Sequence, residues 1–171
     1  MLKARYAILT VAIFGFFVSC KRPGANGYKN AVEYNDHIID QQSIVMKNIG
    51  NFVRTSNRNL DSADHLLDRY IIDLGAMVND IQSMPLYKGD SLLRNSAADL
   101  FTFYRKLFRE DYRLLLQYWR EHGRQSPEGL AEANRVVEKI TIEEEKYDKG
   151  FHNAQRDFAE KFNIKLREEN R

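Results

Sequence analysis

LDSADHLLDRYIIDLGAMVNDIQSM, residues 60–84, sets Leu60, Ala63, Leu67, Tyr70, Leu74, Met77, Ile81 and Met84 three and four residues apart. At 3.6 residues per turn these positions form one stripe, so the segment is an amphipathic helix that must hide that stripe against neighbours. Asn59 or Asp61 opens it. Pro85 closes it, because proline has no N–H for the helix ladder. Upstream, Asn30 followed by Glu33 forms a capping-box arrangement. The seam Asn35, Ile38, Gln42, Val45, Ile49, Phe52 then predicts a first helix, which the polar run at residues 54–59 stops. Downstream, Asp90 is the expected N-cap of a third helix that runs to about His122, with Gly123 as its stop. That helix carries two adjoining stripes. One is Leu93, Ala97, Leu100, Tyr104, Leu107, Leu114, Tyr118; the other is Phe101, Phe108, Tyr112, Leu115, Trp119. Ser126 and Pro127 make a good start for a fourth helix, whose expected seam is Leu130, Ala133, Val137, Ile140, Tyr147, Phe151, Ala154, Phe158 and Phe162. No stretch alternates with period two. The fold expected is all-α: an up-down-up-down antiparallel four-helix bundle over residues 30–164, with a charged tail at 165–171.

What precedes the bundle has another character. Lys3 and Arg5 are followed by Tyr6 to Val18, apolar apart from Thr10 and Gly15. As a helix it would span roughly 20 Å, short of the ~30 Å hydrocarbon core, so it reads as a secretory signal (residues 1–19) and not as a transmembrane span. Residues 20–29, rich in Gly, Pro and polar side chains, read as a flexible tether.

Phe17-Val18-Ser19-Cys20 resembles the lipobox of bacterial lipoproteins, in which a small residue precedes an invariant Cys; Phe17 stands where that family usually has Leu. The resemblance implies cleavage before Cys20, the chain's single cysteine, and acylation of Cys20 at its sulfur and new amine, holding the protein on a membrane. The alternative is a plain secretory signal or an uncleaved anchor with Cys20 a bystander. Residues Ala31 to Gln42 (AVEYNDHIIDQQ), followed by the bundle, resemble small helical surface lipoproteins of unknown function from Bacteroidota and spirochaetes. Surface-exposed members tend to have acidic residues after the Cys. Lys21 and Arg22 occupy those places here, which implies a bundle facing the periplasm.

The chain has 26 basic and 24 acidic side chains. The signal holds two of the basic residues and no acidic one, so the remainder is balanced. It lacks the single-sign field that nucleic-acid binding needs. No nucleophile elbow, phosphate loop, dinucleotide fingerprint or His-Glu-x-x-His is present, so no enzyme activity or cofactor is expected.

Two sets of residues carry candidate chemistry. Glu33–His37, Asp61–His65 and Asp148–His152 place a carboxylate four residues before a histidine, on one helix face. Such pairs can bind metal or set a base, but the Glu-x-x-His spacing of di-iron bundles is absent, so they read as solvated surface pairs and no metal site is assigned. The second set is polar residues on the seams. Gln42, Asp111 and Glu144 fall at similar heights along the bundle and could form a mid-bundle layer, with Arg109, Arg113 or Lys146 as the cation. The reading preferred to that layer is a drifting seam that leaves Asp111 and Glu144 on a solvated flank. Gly50, Gly75 and Gly150, inside predicted helices, allow either close helix approach or bends. The functional expectation is a lipid-anchored, non-enzymatic interaction module with an envelope protein or polymer as partner. The alternative is a carrier of a small ligand or metal.

Overall fold

A computed structural model describes residues 27–166. The signal, the Cys20 lipidation position and all but the start of the charged tail lie outside the described residues. Four rods follow one another. They are α1 (Ala31–Ser56), α2 (Leu60–Ser83), a third rod made of α3 (Leu92–Lys106), a π-helical turn (Leu107–Tyr112) and α4 (Arg113–His122), and finally α5 (Pro127–Phe162). The all-helical bundle expected from the seams is the fold observed. Among the described residues the only extended pairing is an isolated bridge between Tyr87 and Asp90, and no helix is long and apolar enough to cross a membrane.

The helix ends obey local chemistry. Asn30 Oδ1 accepts from the Glu33 amide at 2.8 Å, while the Glu33 carboxylate accepts from the Lys29 amide at 2.9 Å. The capping box therefore closes one residue earlier than expected. Asn59 Oδ1 accepts from the Ser62 amide at 2.7 Å, and Ser126 Oγ from the Gly129 amide at 2.9 Å. The third rod departs from expectation: its N-cap is Ser91, not Asp90. Asp90 still accepts from the Leu92 amide at 2.9 Å, and Lys161 of α5 donates to it at 2.6 Å.

Neighbouring rods run antiparallel, as their cross-contacts show. His37 near the start of α1 meets Asp80 near the end of α2 at 2.7 Å. Arg120 at the end of α4 bonds Asp61 and Asp64 at the start of α2 at 3.0 and 3.2 Å. Gln155 of α5 donates to the buried Asn35 of α1 at 2.9 Å.

The π turn is the feature the seams did not announce. From residue 104 onward the buried side chains recur every four residues: Tyr104, Phe108, Tyr112, Leu116 and, beside them, Leu107, Asp111, Leu115, Trp119. In a straight α-helix positions four apart drift about 40° per step. Keeping them on one face takes one wider turn, which accommodates one extra residue. That extra residue moves everything after it by about one residue's rotation, which is why Leu114, expected on the seam, is 53% exposed while Leu115 and Leu116 are buried.

A similar offset affects the start of α5. Leu130 is 39% and Val137 57% exposed, whereas Gly129, Glu132 and Val136 are buried. Gly129 sets the rotation. Its carbonyl accepts from the Trp119 indole at 3.2 Å. A Cβ on it would lie 2.1 Å from the Gly123 carbonyl oxygen, so only glycine fits there. With Gly129 turned inward, residues one place further on turn outward. The three glycines noted within the helices serve no such approach. Among the described residues, a Cβ on Gly150 would have nothing within 4 Å, and one on Gly50 or Gly75 would meet only arginine side chains, at 3.8 and 3.4 Å.

Candidate functional site

The polar positions of the seams gather where the third rod crosses α5. Asp111, in the π turn, is 6% exposed and forms an ion pair with Lys139 of α5. Two turns earlier, Tyr104 Oη donates to Glu144 Oε1 at 3.3 Å. Asp111 is therefore not on a solvated flank, and Glu144 is partly buried. They do not form the single layer envisaged with Gln42: that residue is partly buried on α1, and no hydrogen bond joins it to either carboxylate. The cation of Asp111 is also not among those expected. Arg109 pairs with Glu110 at 2.9 Å, Arg113 bonds Asp64 and Asp68 at 3.1 and 2.6 Å, and Lys146 lies over the Tyr147 ring.

Burial dominates the electrostatics. It pushes the Tyr104 and Tyr112 phenols well above their ordinary range, helped by the nearby Glu144 charge. It also raises the Glu144 carboxyl; the Tyr104 hydroxyl opposes this and the Asp148 charge reinforces it. Glu144 is thus the residue here most ready to hold a proton, with a neutral phenol as its donor. Nearby along the same two rods, Phe103 and Tyr147 stack at 5.0 Å.

A carboxyl whose folded pKa lies above its unfolded value favours folding while protonated, and that advantage fades as pH rises through the folded value. Glu144→Gln should therefore match the parent protein in thermal unfolding at pH 4 and become the more stable of the two as pH is raised to 8. A difference that shrinks over that range would show that Glu144 is held as a stabilised anion.

The three carboxylate–histidine pairs separate. Only Asp148–His152 forms, at 3.3 Å. Glu33 caps α1 while His37 turns to Asp80, and Asp61 belongs to Arg120, leaving His65 exposed. Among the described residues no three His, Cys, Asp or Glu side chains converge so as to hold a metal ion.

Three residues outside the sequence reading matter to the interior. Lys139 supplies the missing cation. Glu132 is buried and bonded by Arg135 at 2.5 Å. Tyr34 is buried with a hydroxyl that has no partner among the described residues. A seam phased on Gly129 would have pointed to Glu132; it was hidden because the apolar Leu130 and Val137 face outward. No family model, curated protein or solved structure matches the chain.

Proposed function

We propose that this is a lipid-anchored protein of a bacterial cell envelope, tethered through Cys20 to the inner or outer membrane. Its helical bundle acts in the periplasm as a non-enzymatic interaction module for an envelope protein or polymer. The observation that carries the address is the order of parts: a basic start, an apolar run too short to span, Ser19-Cys20 with the only cysteine, and a short polar tether. The bundle supports the non-enzymatic reading because its buried carboxylates are already engaged: Asp111 by Lys139, Glu132 by Arg135, and the partly buried Glu144 by Tyr104. The carrier alternative has no support at the seam, for the same reason.

The tether limits the geometry. Six residues lie between Cys20 and Gly27, and the seven Cα–Cα steps reach at most about 25 Å. The bundle end holding Tyr28, Tyr87 and the α5 C-terminus would then lie close to the lipid surface. Several acyl chains, at ~0.8 kcal/mol per buried CH₂, would make the attachment stable. Cys20→Ala is expected to remain at precursor size and to lose detergent-dependent partitioning when envelopes are fractionated. A Cys20→Ala protein that matures to the parental size and still pellets with membranes would remove the lipoprotein reading.

A further inference from the structure

At that same end of the bundle lies a pocket of about 290 Å³, walled by Tyr28, Tyr34, Leu86 and Tyr87, with Lys29 and Lys88 at its rim. We propose that it is a binding site for a small anionic molecule with a flat aromatic body, such as an aromatic carboxylate. The inference stands apart from the interaction-module reading, since it needs neither the anchor nor a macromolecular partner.

Three observations carry it. The first is the unsatisfied hydroxyl. Tyr34 is 1% exposed, and its Oη has no hydrogen-bond partner among the described residues. A buried hydroxyl left unpaired is costly, and replacing it by hydrogen would relieve the fold, so its presence points to a partner that enters. Burial pushes the Tyr34 phenol up to about 12, against the Arg94 charge, so it stays neutral and able to donate. Tyr28 packs edge-on to it at 4.8 Å and is only partly buried. Tyr34 itself contributes to the lining of the pocket.

The second observation is the sign of the charge. The charged residues lining the pocket are both lysines, and neither ammonium forms an ion pair among the described residues. Three carboxylates lie close enough to act on the Tyr28 and Tyr34 phenols: Asp90 is paired with Lys161 and Asp80 with His37, while Glu33, bonded by the Lys29 amide, keeps its charge just outside the lining. The walls are phenol rings, with Tyr34 and Tyr87 centred 5.5 Å apart, and such rings favour stacking and edge contacts with a flat ring. The volume is near the lower end of small-ligand pockets.

The third is backbone geometry. Lys88 holds φ at 49° and Gly89 at 81°, with the Asp90 amide donating to the Tyr87 carbonyl at 2.9 Å. That tight turn suits Asn or Gly at its first central place, and lysine there is strained. The turn sets Lys88 beside the pocket, with its Nζ 5.7 Å from the Tyr87 ring centre and 6.0 Å from that of Phe162.

The test is titration of the purified protein with 2-naphthoate, and in parallel with its neutral alcohol analogue, followed by amide shifts in ¹H–¹⁵N spectra. Saturable shifts are expected at Tyr28, Lys29, Tyr34 and the 86–89 turn, with the alcohol at least tenfold weaker. Lys88→Asn should weaken naphthoate at least fivefold while melting at or above the parental temperature. Tyr34→Phe should melt higher and bind at least threefold more weakly. Absence of saturation, shifts elsewhere on the bundle, equal binding of the alcohol, or parental affinity in both variants would each overturn the site.

Discussion

Gly129→Ala should destabilise the protein by about 3 kcal/mol or more, lowering the melting temperature by roughly 6–12 °C. The position is the third of α5, where alanine is ordinarily at least as good a helix residue as glycine. Here the added methyl would sit 2.1 Å from the Gly123 carbonyl oxygen and 3.1 Å from Ser126 Oγ. The Gly123 carbonyl is backbone held in place by the Ser126 hydroxyl, which donates to it at 2.8 Å. Making room therefore pushes the whole start of α5 away from the end of α4. That loosens the Ser126 cap on the Gly129 amide and pulls the Gly129 carbonyl from the buried Trp119 indole, two bonds of about 1 kcal/mol each. Gly150→Ala is the internal control. It lies mid-helix with nothing within 4 Å, so it should gain roughly 0.5–1 kcal/mol. Thermal unfolding of the two variants side by side is decisive. If Gly129→Ala melts with the parent, α4 and α5 do not meet as described.

Deleting one residue should have opposite consequences in α2 and in the π turn. Removal of Asp73 rotates every later residue of α2 by about 100° and turns Leu74, Val78 and Ile81 out of the core. Each such side chain contributes about 1.5–3 kcal/mol by burial, and together they approach the 5–15 kcal/mol that holds a typical domain. The variant should show no cooperative unfolding transition. Removal of Glu110, which is exposed and, among the described residues, paired only with Arg109, takes out the extra residue of the π turn. The rod can then run as regular α-helix, with Leu115, Leu116 and Trp119 kept in phase. That variant should unfold cooperatively within about 2 kcal/mol of the parent. Circular dichroism melts separate the outcomes. Equal damage from both deletions would mean that the wide turn is not a one-residue insertion.

Much of the architecture was legible because apolar spacing and end-capping chemistry are local. Asn30, Asn59, Ser126 and Pro85 delimit helices by bonds made within a few residues, and the α2 stripe is buried much as its spacing required. The misreadings have one cause. A stripe drawn through Leu107 and Leu114 assumes an unbroken 3.6-residue turn, and one drawn through Leu130 and Val137 assumes that the most apolar positions face inward. The four-residue recurrence from Tyr104 to Leu116 carried the signal of a wider turn. Nothing local marked Gly129 as the residue whose missing Cβ sets the rotation of α5.

The candidate chemistry divides the same way. Charge balance, the single cysteine, the short apolar run and the number and ends of the rods belong to the amino-acid sequence alone, because each follows from composition or from interactions spanning a turn or two. Which carboxylate meets which cation does not. Asp111 finds Lys139 and not a neighbouring arginine, His37 leaves Glu33 for Asp80, and Tyr34 is buried with no partner for its hydroxyl among the described residues. Those outcomes depend on the relative rotation and height of whole helices, which are set by the summed packing of side chains far apart in the chain.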